Sequence, residues 1–172
     1  MQLIIPPRAL VLLVGAAGSG KSFFARKHFK ATEIVSSDAL RAAVSDDEAD
    51  QSASGDAFEL LHLIAAKRLR RGKLTVIDAT NVQADSRRTL LALAKRYTAP
   101  AIAIVLNLPV EVCLAQNALR TGRKVSTEVV EKQIADLASS LTGLGNEGFG
   151  HVYVLETIDD IQAAAISRQP PL

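Results

Sequence analysis

Cysteine and aromatic residues are scarce in this sequence. Its 172 residues include one cysteine, no tryptophan and only 4% aromatic residues. A single cysteine, Cys113, excludes an internal disulfide and a cysteine-based metal cage, so we expect it to pack in the core of a protein from the reducing cytoplasm. The low aromatic content argues against a long stacking platform for single-stranded nucleic acid.

The sequence also lacks a large excess of charge and a long apolar run. Its 20 Lys and Arg residues oppose 18 Asp and Glu residues, for a net charge of +2, so any anion-binding site must be local. The N-terminal stretch MQLIIPPRALVLLVGAA has the composition of a secretory signal, but two prolines interrupt it and its apolar run is too short to span a bilayer. We therefore expect one domain that has no membrane contact.

Short apolar runs alternate with longer amphipathic segments, which is typical of an α/β protein. The runs are almost continuously hydrophobic, which indicates strands of a parallel sheet covered on both faces. The predicted strands are 9–14, 33–36, 74–78, 101–107 and 151–156. The predicted helices are 21–29, 57–71, 86–97, 110–119, 127–141 and 159–167. The polar segment 45–56 is predicted to be a loop.

Residues 15–22, GAAGSGKS, match the phosphate-binding pattern G-x-x-x-x-G-K-[ST] between a predicted strand and a predicted helix. Glycines in such a loop let backbone N–H groups surround a phosphate at a helix N-terminus. The lysine reaches the β and γ oxygens, and the hydroxyl is a ligand of Mg²⁺. The residues expected to bind ATP and Mg²⁺ here are Gly15, Gly18, Ser19, Gly20, Lys21 and Ser22.

The surrounding residues favour a kinase over other classes with this loop. A GTPase needs an N/T-K-x-D element after a later strand, and LNLPVE does not supply one. A hydrolytic ATPase usually has a glutamate after its strand-borne aspartate, but Ala79 follows Asp78. A kinase needs a base that faces the acceptor hydroxyl and cations that cover the transferred phosphoryl group.

Asp38 is the candidate base, since it follows the second predicted strand and ligands bind at the carboxyl ends of such strands. Arg41 lies one helical turn later and can face the same pocket, where it would anchor the substrate. The alternative is that Asp38 only caps the helix ALRAAV and pairs with a solvated Arg41.

Asp78 ends its strand beside the expected phosphates, where it would orient Ser22 or a water bound to Mg²⁺. The alternative is a turn aspartate that accepts hydrogen bonds from nearby N–H groups.

Residues 117–126, NALRTGRKVS, are the candidate lid. Gly122 allows a bend, and the planar guanidinium groups of Arg120 and Arg123 can clamp a triphosphate. The alternative is a solvated helix end whose cations complement the helix dipole.

Two further features have plainer explanations. The segment KRLRRGK, residues 67–73, is either a nucleic-acid patch or the basic end of a long helix, and we favour the helix end. His62 has no metal-ligating companions and is expected to be a partly buried packing residue.

The motifs GAAGSGKS, SSDALR, SDDEADQ, VIDATN, LNLPVEVC and EGFGHVYVL together resemble the 5′-kinase domain of bacterial polynucleotide kinase-phosphatase, an RNA end-healing and sealing enzyme. The resemblance runs from about Arg8 to Pro171. It implies a P-loop kinase fold whose five parallel strands have the order 2-3-1-4-5, with a helical lid. It also implies transfer of the ATP γ-phosphate to the 5′-OH end of RNA or DNA.

The resemblance assigns roles to individual residues. Lys21 and Ser22 hold phosphates and metal, Asp38 is the general base, Arg41 and Gln51 anchor the acceptor's terminal phosphate, and Arg120 and Arg123 belong to the lid. Gln116 stands where a further lid arginine is expected. The chain is then either a solitary kinase or the module of a longer protein with phosphatase and ligase modules. A small-metabolite kinase of the same fold, and an ATP-sensing module without transfer, are the alternatives.

Overall fold

A computed structural model describes residues 1–169, so the predicted end of the family resemblance at Pro171 lies outside the described residues. The strands and helices in chain order are β1 (Gln2–Ile5), β2 (Leu10–Val14), α1 (Lys21–His28), β3 (Ile34–Ser36), α2 (Ser37–Ser45), α3 (Ser54–Arg70), β4 (Thr75–Asp78), α4 (Ala84–Arg96), β5 (Ala101–Leu106), α5 (Val110–Ala118), α6 (Thr127–Leu141), β6 (His151–Leu155), α7 (Ile158–Ala163) and β7 (Ala165–Arg168). Short 3₁₀ turns occupy Ala31–Glu33, Gln51–Ala53 and Leu144–Asn146.

The central sheet is parallel and has the order β3-β4-β2-β5-β6. This is the predicted order 2-3-1-4-5, and each strand matches its predicted range to within one residue. Every residue of β2 and β5 is buried, because helices cover both faces of the sheet. Alternate residues of β2 belong to two separate apolar clusters, one containing Val11 and the other Leu12.

The predicted terminal helix 159–167 is wrong at its end. Helix α7 stops at Ala163, and β7 pairs in parallel with β1 as a separate two-stranded sheet that was not predicted. Both strands have four residues and lie far apart in the sequence, so no local pattern reveals their pairing. Leu3 and Ile5 of β1 are completely buried, which joins this small sheet to the core.

The starts of two helices and the predicted lid also differ from the prediction. Helix α3 begins at Ser54, so the end of the predicted loop 45–56 is helical, and α4 begins at Ala84, two residues before its predicted start. The segment between α5 and α6 contains no helix, which makes the expected helical lid an irregular connection. In residues 1–169 we find no helix with the length and apolarity needed to cross a membrane.

Candidate active site

Three segments with predicted site residues meet at the carboxyl edge of the central sheet. Leu13 of β2, Ser36 of β3 and Asp78 of β4 lie side by side in the register of the strands. The glycine-rich loop follows β2, and Asp38 lies two residues after the end of β3. These segments and the α5–α6 connection line one cavity of about 780 Å³.

The glycines of the loop are explained by its backbone. Gly18 and Gly20 have φ values of 79° and 90°, in the left-handed region that residues with a side chain rarely adopt. Gly18 also packs against the carbonyl of Cys113, where a Cβ atom would collide. At Gly15 a Cβ atom would lie 2.8 Å from the carbonyl oxygen of Leu106. The shape of the loop therefore depends on these three positions.

Lys21 is enclosed by the loop that precedes it. Its ammonium donates to the carbonyl of Ala16 at 2.8 Å and lies 3.5 Å from the hydroxyl of Ser19, which is itself completely buried. Burial lowers the pKa of Lys21 to about 8, although the nearby Asp78 acts in the opposite direction. A phosphate in the loop would compete with the Ala16 carbonyl for this ammonium.

Asp78 and Ser22 supply oxygen atoms beside the loop. Burial raises the pKa of Asp78, while a hydrogen bond from the Ser22 hydroxyl and the charge of Lys21 lower it. A turn aspartate would accept a hydrogen bond from a backbone N–H. Within residues 1–169 Asp78 accepts none, so this alternative is wrong. A hydroxyl and a carboxylate are the hard oxygen ligands that suit Mg²⁺. No group of three metal-ligating side chains occurs in the described chain, so such an ion would also depend on phosphate oxygens.

Asp38 is not the helix cap that the alternative reading required. The cap of α2 is Ser36, whose hydroxyl accepts the N–H of Ala39 at 3.3 Å. Asp38 instead lies in the first turn with its carboxylate in the cavity.

Three arginines converge on Asp38. Its Oδ1 accepts from Arg41 at 2.5 Å and from Arg123 at 2.8 Å, and Arg120 lies 3.5 Å from Oδ2. The structure thus brings the predicted base, the predicted substrate anchor and both predicted lid arginines together. Three positive charges therefore surround one carboxylate. Its Oδ1 accepts two hydrogen bonds, whereas its Oδ2 has, among the described residues, only the longer contact with Arg120.

Arg41 is buried, with 5% of its surface exposed, so the alternative of a solvated arginine is wrong. Its Nε donates to the hydroxyl of Ser54 at 3.2 Å, and its Nη1 also donates to the Glu48 carbonyl at 3.1 Å. Burial lowers the pKa of Arg41 and the adjacent Asp38 raises it. Its Nη2 has no acceptor among residues 1–169, and Arg41 lines the cavity. This group is free to bind an anion there.

Gln51 lies in the wall of the same cavity but does not join these hydrogen bonds. It is exposed, and its amide nitrogen donates to the carbonyl of Ala49 at 3.3 Å. The structure therefore places Gln51 near the predicted anchor Arg41 without linking the two side chains. Gln116 lies by the loop itself, because its Oε1 would be 3.9 Å from a Cβ atom on Gly20.

Residues 117 and 118 of the predicted lid 117–126 belong to α5, and the remaining residues 119–126 form the lid segment. Asn117 closes the base of this segment, a role that the sequence did not reveal. The buried side chain of Asn117 donates to the carbonyl of Val125 at 2.7 Å and accepts its N–H at 3.2 Å. The chain does bend at Gly122, as expected, although the φ of this glycine is not in the left-handed region. The Glu48 carboxylate occupies the place of a Cβ atom at Gly122, so a larger residue there would have to displace that carboxylate.

Further residues that sequence reasoning missed support the site. Glu48 accepts the backbone N–H of Arg123 at 2.6 Å, and Gln133 of α6 accepts the N–H of Ala17 at 2.8 Å. Arg26 lines the cavity and lowers the pKa of Asp78. Glu48 belongs to a run of acidic residues in which no sequence signal distinguishes it.

A buried network fixes the edge of the sheet under the loop. Asn81 has a left-handed φ of 49° and donates to the Leu13 carbonyl at 2.8 Å. Arg87, whose side chain is fully buried, donates to the Asn81 carbonyl at 2.7 Å and to both carboxylate oxygens of Glu147. This network gives the motif VIDATN a structural role in addition to that of Asp78.

The basic segment 67–73 ends α3 and leads into the amino end of β4, at the edge of the sheet opposite the cavity. It is therefore not part of the site. His62 is half-buried, with its ring 6.5 Å from that of Phe58, and Cys113 is completely buried in the core.

Solved structures share this architecture. A candidate kinase from Chloroflexus aurantiacus is 18% identical, with a TM-score of 0.62 over 91% of this chain and 94% of its own. The complex AvrRxo1-ORF1:-ORF2, solved with ATP, is 14% identical, with a TM-score of 0.71 over 88% of this chain and 55% of the other. A chain of the Pnkp1/Rnl/Hen1 complex is 26% identical, with a TM-score of 0.56 over 72% of this chain and 43% of its own.

A curated relative, the Arabidopsis thaliana protein named transcription factor bHLH140, is 29% identical over 161 residues. The match includes 90% of this chain, which spans only 17% of the length of that protein. A family profile described as AAA domain matches residues 10–144, which contain the glycine-rich loop, Asp38, Asp78 and the lid. With its five-stranded parallel sheet, the fold is that of a P-loop kinase, and the chain belongs to the AAA domain family.

Proposed function

We propose that this protein transfers the γ-phosphate of ATP to the 5′-OH end of RNA or DNA. The observation that carries the proposal is the position of Asp38, which shares one cavity with the phosphate-binding loop and lies among Arg41, Arg120 and Arg123. A carboxylate so placed can accept a proton, and the cations can stabilise charge on a transferred phosphoryl group.

Each part of the proposed reaction has a residue in this cavity. The loop and Lys21 hold the donor phosphates, and Asp38 accepts the proton of the attacking hydroxyl through Oδ2. The new O–P bond forms as the bond to the β-phosphate breaks, so ADP leaves. A Mg²⁺ held by Ser22 and, through water, by Asp78 would neutralise phosphate charge. Arg120 and Arg123 stabilise the transferred phosphoryl group after they leave the Asp38 carboxylate and bind the phosphoryl oxygens instead.

The acceptor is inferred from Arg41 and from the comparisons. Arg41 lines the cavity beside the proposed base, and its Nη2, which has no acceptor within residues 1–169, can bind the phosphate next to an acceptor hydroxyl. The identity of 26% to a chain of the Pnkp1/Rnl/Hen1 complex agrees with the motif resemblance to polynucleotide kinase-phosphatase. In this proposal the phosphatase and ligase steps of end repair take place in the cytoplasm. They are carried out either by further modules joined to this chain or by partner proteins.

The test compares a nucleoside 3′-monophosphate with the bare nucleoside as acceptor. We expect the wild-type protein to prefer the phosphorylated acceptor strongly and Arg41→Ala to lose most of this preference, because an unbound phosphate no longer fixes the hydroxyl in line. Arg88→Ala is the matched control, since Arg88 is exposed on α4 and lies outside the cavity. Equal use of both acceptors would favour a small-metabolite kinase, and ATP binding without transfer to any acceptor would favour an ATP sensor.

A further inference from the structure

Four residues from three segments form a closed ring of hydrogen bonds at the lid. Asp38 accepts from Arg41 and Arg123, and Arg41 donates to the carbonyl of Glu48. The Glu48 carboxylate completes the ring, because its Oε1 accepts the backbone N–H of Arg123 at 2.6 Å. The ring thus joins helix α2, the segment after α2 and the lid segment.

Glu48 differs from the other members because it binds the backbone of the lid. A charged acceptor on a main-chain N–H makes a strong hydrogen bond, and it leaves the guanidinium of Arg123 free to change partners. The absence of a side chain at Gly122 is what lets the carboxylate come this close. Glu48 and Gly122 therefore both serve the hydrogen bond between the Glu48 carboxylate and the backbone N–H of Arg123.

We propose that Glu48 is a positioning residue that anchors the lid backbone so that Arg123 can move between Asp38 and the transferred phosphoryl group. The inference rests on the proposed function, in which Arg123 acts on that group. Through its carbonyl, Glu48 also contacts Arg41, so one residue joins the donor side and the acceptor side of the cavity.

The first test is a double-mutant cycle of Glu48→Ala and Gly122→Ala, assayed with ATP and an oligonucleotide that has a 5′-OH end. Each single variant should lower kcat by about 10- to 100-fold, the range of a charge-assisted hydrogen bond, with little change in the KM for ATP. Gly122→Ala should add little in the Glu48→Ala background, because the group it collides with is gone. Glu48→Gln keeps an acceptor oxygen and should recover most of the activity. Additive losses, or a change in KM alone, would overturn the proposal.

The second test does not need the proposed activity. Trypsin can cleave the lid after Arg120, Arg123 and Lys124, and we expect faster cleavage in Glu48→Ala and Gly122→Ala than in the wild type. Glu131→Ala, an exposed position on α6, is the control and should cleave at the wild-type rate. If the wild type transfers no phosphate to the oligonucleotide, the proposed function fails, yet the cleavage rates still test the anchor. Equal cleavage rates in all four proteins would overturn it.

Discussion

Replacing Lys21 with methionine should make the protein more stable at pH 7 and remove ATP binding. Burial lowers the pKa of Lys21 from 10.5 to about 8, which corresponds to about 3 kcal/mol of free energy that opposes folding with a charged lysine. Methionine removes this charge but also removes the hydrogen bond to the Ala16 carbonyl, which costs about 1 kcal/mol. The net expectation is a gain of about 2 kcal/mol, or about 4 to 8 °C in Tm.

The pH dependence has a definite sign. Between pH values of about 8 and 10.5 the unfolded chain binds more protons at Lys21 than the folded chain, so this residue makes the wild-type protein more stable as the pH rises. The Lys21→Met protein lacks that contribution, and its advantage over the wild type should shrink across this range.

The assay is urea unfolding of both proteins at pH 7 and pH 9.5, with ATP binding measured at pH 7. Lys67→Met is the control, since Lys67 is exposed near the end of α3 and should change stability little. A Lys21→Met protein that is less stable than the wild type at pH 7, or whose advantage is constant with pH, would show that the charge of Lys21 does not oppose folding.

Three further substitutions test the site and the network beneath it. Arg123→Ala should lower kcat with little change in the KM for ATP, and steady-state kinetics in which neither value moves would exclude a lid role. Asp38→Asn keeps the shape of the side chain and should slow single-turnover transfer by about 10²- to 10⁴-fold, whereas near-normal transfer would exclude a general base. Glu147→Ala leaves the charge of the buried Arg87 unpaired and should cost about 3 to 5 kcal/mol, or about 6 to 20 °C in Tm by calorimetry. A Tm within 2 °C of wild type would contradict that network.

The parts of the fold that the sequence predicted are those set by local pattern. Strands β2 and β5 are continuously apolar because both faces are covered, and the spacing of Gly15, Gly20 and Lys21 follows from loop geometry. Asp38 and Arg41 were placed together by their helical spacing, and they do form an ion pair.

The parts that could not be predicted depend on contacts between distant segments. The pairing of β1 with β7 joins residues that are about 160 positions apart, and nothing in either strand specifies its partner. Glu48 contacts the backbone of the lid segment, and its carboxylate occupies the place of a Cβ atom on Gly122. Neither contact is visible in the local sequence. The convergence of Arg120 and Arg123 on Asp38 also exists only once the segments have packed.

The most direct measurement is the transfer of labelled γ-phosphate from ATP to an oligonucleotide with a 5′-OH end, followed by nuclease digestion to locate the label. We expect the label on the 5′-terminal nucleotide with the wild-type protein and almost no label with Asp38→Asn. A matched oligonucleotide whose 5′ end is already phosphorylated should stay unlabelled. If a folded wild-type protein binds ATP yet leaves the 5′-OH oligonucleotide unlabelled, the protein is not a polynucleotide 5′-kinase.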